Sequence, residues 1–228
     1  MRILDQSISI YRYFEDIAQI PHGSYQEEKI ADYVEEFAKN HKLDYQRDEM
    51  HNIIIFKPAS KGYEGHPTLM LQGHMDMVNE KNNDSQHDFD NDPLDLYIED
   101  GYLSAHGTTL GADDGVAVAY MLAILDDASL KHPALECVFT SDEEGSFIGA
   151  ENLDMSKLKS KKLLNIDSED ENVMIVSCAG GMAFENRIKF ERVNSKLENP
   201  SACRIKISGL KGGHSGSDIH LGLSLIHI

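Results

Sequence analysis

The sequence predicts an α/β fold: a mixed, largely parallel sheet sandwiched by helices, followed by the beginning of a second, α+β domain. Three observations support this prediction. Short apolar runs alternate with helical patterns through residues 50–177, as in proteins with parallel sheets. Two amphipathic helical patterns precede that region, and two segments after residue 181 mostly alternate apolar and polar residues, as half-exposed antiparallel strands do.

Two helices are predicted before the first strand. Residues 10–20 have apolar side chains at helical spacing, and Pro21 ends the pattern. Ser24 has the side chain of an N-cap for a second helix, and Glu27 stands three residues later as its capping-box partner.

The strands and the main helix follow in alternation. Strands are predicted at residues 52–56, 68–71, 135–140, 163–166 and 173–176. A hairpin is predicted around "EDG", between residues 97–98 and 102–103, and a long, mostly apolar helix is predicted to begin at "GADDG". The second of these strands is expected to end at residue 72, where Gly73 lets the backbone turn.

A domain boundary is predicted between residues 1–181 and 182–228. The alternating segments 184–190 and 203–207 lie in the second part. That part is too short to bury a convincing core alone, so we expect it to be an incomplete domain.

Composition excludes several classes of function. Asp and Glu number 39 against 21 Lys and Arg, for a net charge of -18, so binding to nucleic acid is not expected. No apolar run approaches the roughly 18 residues that a membrane span needs, and no secretory signal is visible. The 3 cysteines are widely spaced, which favours a reducing, cytoplasmic location.

Four acidic segments are expected to meet at one edge of the sheet, because each follows a strand or opens a helix. They contain His74 and Asp76; Asp113 and Asp114; Asp142, Glu143 and Glu144; and Asp167 and Glu169. Carboxylates gathered there would repel one another, and a cation would remove that repulsion. One histidine among several carboxylates suits Zn, Mn or Co better than Mg.

Each segment also has an ordinary interpretation. An isolated His74 can be a hydrogen-bonded core or surface histidine, and "DD" before a helix is usually an N-cap pair. "DEEG" is usually a turn, and "NIDSEDE" fits a solvated acidic loop. The pattern alone leaves the metal site and these interpretations open.

Six motifs in order make the sequence similar to a known family. They are "LQGHMDMV", "GTTLGADDGVAVA", "DEEGSFIGA", "NIDSED", "CAGG" and "GLKGGHSG". Together they resemble the dizinc exopeptidases related to carboxypeptidase G and the aminoacylases. "HGTTLGADDG" and "GLKGGHSG" resemble most the aminoacyl-histidine dipeptidase branch, which is carnosinase-like.

The resemblance implies two divalent metal ions, Zn with Mn or Co as alternatives, and a set of ligands. His74 and Asp167 would bind the first metal, Glu144 the second, and Asp113 both.

It also implies the catalytic roles. Glu143 would be the general base for a metal-bridged hydroxide, and Asp76 would orient His74 and make its imidazole more basic. His214 in "GGHSG" would polarise the substrate carbonyl from the lid domain. Residues 1–181 would then be the N-terminal part of the catalytic domain, and residues 182–228 the beginning of a lid and dimerisation domain.

The function implied is hydrolysis of dipeptides, of the Xaa-His type, by a cytoplasmic enzyme that forms a homodimer through the lid. The alternatives are an N-acyl amino acid amidohydrolase with the same metals and base, or a non-catalytic metal-binding homologue. A peptide is the expected partner; nucleic acid and membrane are not.

One expected ligand has no match. The family has a further metal-ligating histidine after the lid, and neither His220 in "DIHLG" nor His227 in the terminal "LSLIHI" fits that motif. "LSLIHI" also departs from what the resemblance leads one to expect. We therefore expect the 228-residue chain alone to be weakly stable and poorly active.

Overall fold

The computed structural model describes residues 2–168, 172–177, 187–189, 191, 204, 206 and 221. The α-helices in these residues are α1 (Ser9–Ile17), α2 (Glu28–Asn40), α3 (Ala112–Asp126) and α4 (Ile148–Asn152). The strands are β1 (Asp44–Arg47), β2 (Ile53–Lys57), β3 (Leu69–His74), β4 (Leu96–Glu99), β5 (Tyr102–Ala105), β6 (Leu135–Thr140) and β7 (Leu163–Asn165).

Five of these strands form one mixed sheet in the order β1-β2-β6-β3-β7. β3 is parallel to both β6 and β7, whereas β1–β2 and β2–β6 are antiparallel pairs. The predicted mixed α/β sheet is confirmed, with antiparallel pairing at one side. Since β3, β6 and β7 run the same way, their carboxyl ends lie at the same edge, where His74 is paired with Thr140.

The core lies between one face of this sheet and helices α1, α2 and α3. Alternate residues of β6 (Leu135, Cys137 and Phe139) are buried against these helices, as the two-residue period of a strand requires. The opposite face includes Glu136, whose carboxylate accepts the backbone N–H groups of Lys159 and Ser160 at 2.8 and 3.0 Å. The segment after α4 therefore covers part of that second face.

The predicted N-cap of the second helix is wrong. α2 begins at Glu28, its N-cap position is Glu27, and no side chain caps it there. The hydroxyl of Ser24 instead donates to the carboxylate of Asp76, 52 residues away. A tertiary contact has displaced the local capping box.

Gly73 also differs from its prediction. β3 continues through Gly73 to His74, so the glycine does not turn the chain. A Cβ at this position would lie 2.6 Å from Ala117 Cβ and 2.8 Å from Asp114 Oδ2. The glycine is required because α3 approaches β3 closely there.

The predicted hairpin is confirmed as a separate two-stranded sheet of β4 and β5. Asp100 and Gly101 form its turn with φ angles of 52° and 84°. Positive φ at both central residues matches the twist of antiparallel strands.

The chain divides into two compact units, Met1–Glu171 and Asn172–Ile228. The boundary after residue 181 remains a prediction. The predicted strand 173–176 is wrong, because described residues 172–177 contain no strand and Val176 is 88% exposed. Most of the predicted strands 184–190 and 203–207 lies outside the described residues. Among the described helices, none is long and apolar enough to cross a bilayer.

Candidate metal centre and catalytic base

The candidate site lies at the carboxyl edge of the parallel strands, within the unit Met1–Glu171. β3 delivers His74 to this edge, and the acidic turn "SDEEG" follows β6 directly. Asp167 stands two residues beyond the end of β7. The first turn of α3 supplies Asp113 and Asp114.

His74 is the buried centre of the site, with only 1% of its surface exposed. Its Nδ1 lies 2.9 Å from the backbone oxygen of Asp76 and 3.4 Å from Asp76 Oδ1. A carbonyl oxygen can only accept, so Nδ1 carries a proton and Nε2 is the atom available to a metal. Nε2 faces the edge and lies 3.1 Å from Asp113 Oδ1.

Two neighbouring aspartates approach His74 from different sides. Asp113 and Asp114 have non-helical backbone angles at the start of α3, and the peptide bond between them is cis. Asp113 is exposed at the edge, whereas Asp114 is 3% exposed and accepts the backbone N–H of His74 at 3.3 Å. Both side chains therefore contact His74, which the ordinary interpretation as an N-cap pair does not explain.

Asp76 joins the two halves of the site. Its Oδ1 accepts the backbone N–H of Glu143 at 3.0 Å, and its Oδ2 accepts that of Glu144 at 3.1 Å. Ser24 Oγ donates to Oδ2 at 2.8 Å. Burial would raise the pKa of Asp76, but the hydrogen bonds from His74, Glu143 and Ser24 lower it, so the carboxylate stays ionised.

Glu143 and Glu144 stand in a turn built by Asp142. Asp142 has a φ of 53°, and its carboxylate accepts the N–H and hydroxyl of Ser146. The bonds to Asp76 use only the backbone N–H groups of the two glutamates, and Glu143 Oε2 lies 3.9 Å from His74 Nε2. The interpretation of "DEEG" as a turn and the functional one are therefore compatible.

The predicted metal ligands His74, Asp113, Glu144 and Asp167 fall in two overlapping groups of potential ligands, and the group with Asp167 contains Asp114 in place of Asp113. His74, Asp113 and Glu144 offer ligand atoms within 4.8 Å of one another, and so do His74, Asp114 and Asp167. A third group, Glu27, Asp76 and Asp142, is fully buried.

Charge crowding at the edge favours a bound cation. Burial alone would lower the pKa of His74, but the facing carboxylates of Asp113 and Asp76 raise it to about 11. Burial, reinforced by neighbouring carboxylates, raises the pKa of Asp114 and of Glu143 to about 7. Burial and the neighbouring carboxylate of Asp113 also raise the pKa of Asp167. An imidazole and several oxygen ligands that compete for protons match the donor set of a divalent transition metal.

Three contributors have no predicted role as a ligand, base or orienting residue. Asp114 was visible in the "ADDG" motif, but sequence spacing does not separate its role from that of Asp113. Ser24 and Glu27 matched a capping box, and their partners lie far along the chain. His214, predicted to polarise the substrate carbonyl, lies outside the described residues.

Known proteins share both the sequence and the fold of this chain. The cytosol non-specific dipeptidase of Escherichia coli (strain K12) is 42% identical over 216 residues, which cover 94% of this chain and 44% of that protein. The crystal structure of aminoacylhistidine dipeptidase from Vibrio alginolyticus superposes with a TM-score of 0.70 at 42% identity, covering 72% of this chain and 33% of that one.

A more distant relative has a different reaction in its name. A probable succinyl-diaminopimelate desuccinylase of Staphylococcus epidermidis is 26% identical over 200 residues, covering 86% of this chain and 48% of that protein. The chain thus spans less than half the length of each of these three proteins. The family model of peptidase family M20/M25/M40 matches residues 70–197, more than half of the chain, and the chain therefore belongs to that family.

Proposed function

We propose that the protein containing this chain is a metal-dependent dipeptidase. The observation that carries the proposal is the position of Asp76. One buried carboxylate supports the imidazole of His74 and also accepts the backbone N–H groups of Glu143 and Glu144. A ligand, a base and a second ligand are thereby fixed relative to one another, as pre-organised catalysis requires.

Two divalent ions fit the donor set, with Zn as the leading identity and Mn or Co as alternatives. His74, Asp113 and Asp167 would hold the first ion, and Asp113 and Glu144 the second. The group His74, Asp113 and Glu144 supports Asp113 as a shared ligand. The group His74, Asp114 and Asp167 makes Asp114 an alternative to Asp113 beside Asp167. When bound, such ions supply Lewis acidity that polarises a peptide carbonyl and acidifies water.

Glu143 is the proposed general base. Its carboxylate faces the edge beside His74 and is not a member of either ligand group there. It would take a proton from the attacking water and return it to the leaving amine. His214 would stabilise the negative charge on the substrate oxygen, a role that remains a prediction from its motif.

The proposed substrates are unblocked dipeptides, with Xaa-His as the first class to test. Two relatives at 42% identity carry the names of a non-specific dipeptidase and an aminoacylhistidine dipeptidase. A cytoplasmic location, a homodimer formed through residues 182–228 and a peptide as partner belong to the same proposal.

The variant Glu143→Gln tests the proposed function in the full-length, metal-loaded protein. We expect kcat on dipeptides to fall by about 10²- to 10⁴-fold, because the amide cannot accept the proton. Metal content should stay unchanged. The matched control is Glu151→Gln, an exposed glutamate of α4, which should retain wild-type kcat. Undiminished turnover by Glu143→Gln would reject the assignment of the base.

The second candidate is hydrolysis of N-acyl amino acids. The similarity to a probable desuccinylase favours this class, and it would use the same ligands and base. Assays of β-alanyl-histidine and N-acetyl amino acids side by side distinguish the two activities. A metal-binding protein without catalysis is the third alternative, and it would hydrolyse neither substrate.

A further inference from the structure

Glu27, at the N-terminal end of α2, reaches the turn that carries the proposed base. Its Oε1 accepts the backbone N–H of Asp142 at 3.0 Å across 115 residues of sequence. The same oxygen accepts the N–H of Tyr25 at 3.0 Å. Glu27 is 4% exposed, so water does not compete for these bonds.

Three successive amides of the turn are therefore held by two buried carboxylates. Glu27 accepts the N–H of Asp142, while Asp76 accepts those of Glu143 and Glu144. Such a row of fixed amides determines where the next atoms of the chain can lie, including the Cα–Cβ bonds of both glutamates.

The segment before α2 supplies one of these carboxylates and contacts the other. Glu27 belongs to this segment, and Ser24, also in it, donates its hydroxyl to Asp76. Burial of a carboxylate beside another is costly, and a neutral residue would start a helix at lower cost. The arrangement gains instead a fixed turn beside the metal ligands.

We propose that Glu27 is a positioning residue that sets the carboxylates of Glu143 and Glu144 through the N–H of Asp142. It touches neither substrate nor metal in this role. The inference rests on the proposed function, since its effect appears in the rate of hydrolysis.

The test compares four variants of the full-length, metal-loaded enzyme. Glu27→Leu removes the acceptor, and Glu27→Asp withdraws it by one methylene while keeping the charge. Glu27→Gln keeps an oxygen that can accept both amides. Val34→Ala, in the buried face of the same helix, is the control for lost stability alone.

We expect Glu27→Leu and Glu27→Asp to lower kcat by about 10- to 100-fold with little change in KM, because small displacements of catalytic groups are costly. Glu27→Gln should stay within about threefold of wild type, since the geometry is retained. Val34→Ala should lower Tm but leave kcat unchanged. Metal content, measured in every sample, should stay at the wild-type value.

Three results would overturn the inference. The first is wild-type kcat in Glu27→Asp, which also serves if Glu27→Leu does not fold. The second is a loss of kcat in Glu27→Gln as large as that in Glu27→Leu. The third is a loss of kcat in Val34→Ala as large as that in a Glu27 variant with the same Tm. An inactive wild type would overturn the proposed function and this inference together, whereas an active wild type with active Glu27 variants would overturn the inference alone.

Discussion

At the scale of single residues, Asp76 connects the ligand and the base. It is 1% exposed, and its two oxygens receive the backbone N–H groups of Glu143 and Glu144 and the hydroxyl of Ser24. The family resemblance implies that Asp76 orients His74 and makes its imidazole more basic, but it does not imply the contacts with the backbone of Glu143 and Glu144. The closer contact of His74 Nδ1 is to the backbone oxygen of Asp76, at 2.9 Å.

The variant Asp76→Asn should lower kcat/KM by about 10- to 100-fold, as do other changes to residues that support metal ligands. Whichever way its amide is oriented, its NH₂ replaces one oxygen, and one of the two glutamate N–H groups loses its acceptor. Steady-state kinetics with a metal titration measure the effect.

The control for Asp76 is Ser24→Ala, which removes the hydroxyl but leaves in place the hydrogen bonds from both glutamate N–H groups to Asp76. Its loss of activity should be smaller. Wild-type kinetics in Asp76→Asn would contradict the role given to this carboxylate.

At the scale of elements, the edge strand β1 is fastened to α2 by charge. Glu35 accepts hydrogen bonds from Tyr45 and Arg47, both at 2.9 Å, and pairs with Lys39 at 2.7 Å. The hydrogen bonds from Lys39, Arg47 and Tyr45 lower the pKa of Glu35 to about 2 from its ordinary 4.5. These contacts stabilise an edge strand that has a sheet partner on one side.

The variant Glu35→Gln should lower the free energy of unfolding at pH 7, because it removes the charge that pairs with Lys39 and Arg47. The loss should be only about 1 kcal/mol, since these partners are partly exposed. The folded-state pKa lies below the unfolded value, so this stability is fully present above about pH 4.5 and is lost as the pH falls towards 2. Urea unfolding between pH 7 and 3 measures it. The exposed neighbour Glu36→Gln is the control, and a difference that grows as the pH falls would contradict the assignment.

Local pattern was sufficient for much of this architecture. The strand 135–140 and the "EDG" hairpin follow from apolar runs and turn residues, and both are where the sequence places them. The gathering of site residues at one edge of the sheet also follows from the pattern, since each adjoins the end of a strand or helix: His74, Asp113, Glu143, Glu144 and Asp167. What these elements share is a signal contained within a few residues.

Two of the failures come from contacts between distant segments. Gly73 is needed because α3 packs on β3, and Ser24 is engaged by Asp76 rather than by its own helix. The apolar run 173–176 has the composition of a strand, but composition does not supply a neighbouring strand. Tertiary partners that lie dozens of residues away leave no mark in a local pattern.

At the scale of the whole molecule, the candidate metal centre draws on four separate segments of one compact unit. An ion bound between them would stabilise the folded state relative to the unfolded chain. The chain belongs to peptidase family M20/M25/M40 and spans less than half the length of the relatives compared. The complete reaction is therefore proposed for the full-length protein.

The most direct test is anomalous X-ray scattering from crystals of the zinc-loaded, full-length protein. The account predicts two zinc peaks at the edge of the sheet, one bound by His74, Asp113 and Asp167 and the other by Asp113 and Glu144. Glu143 should bind neither ion. No peak at this edge, zinc held only by the buried group Glu27, Asp76 and Asp142, or Glu143 as a direct ligand would contradict it.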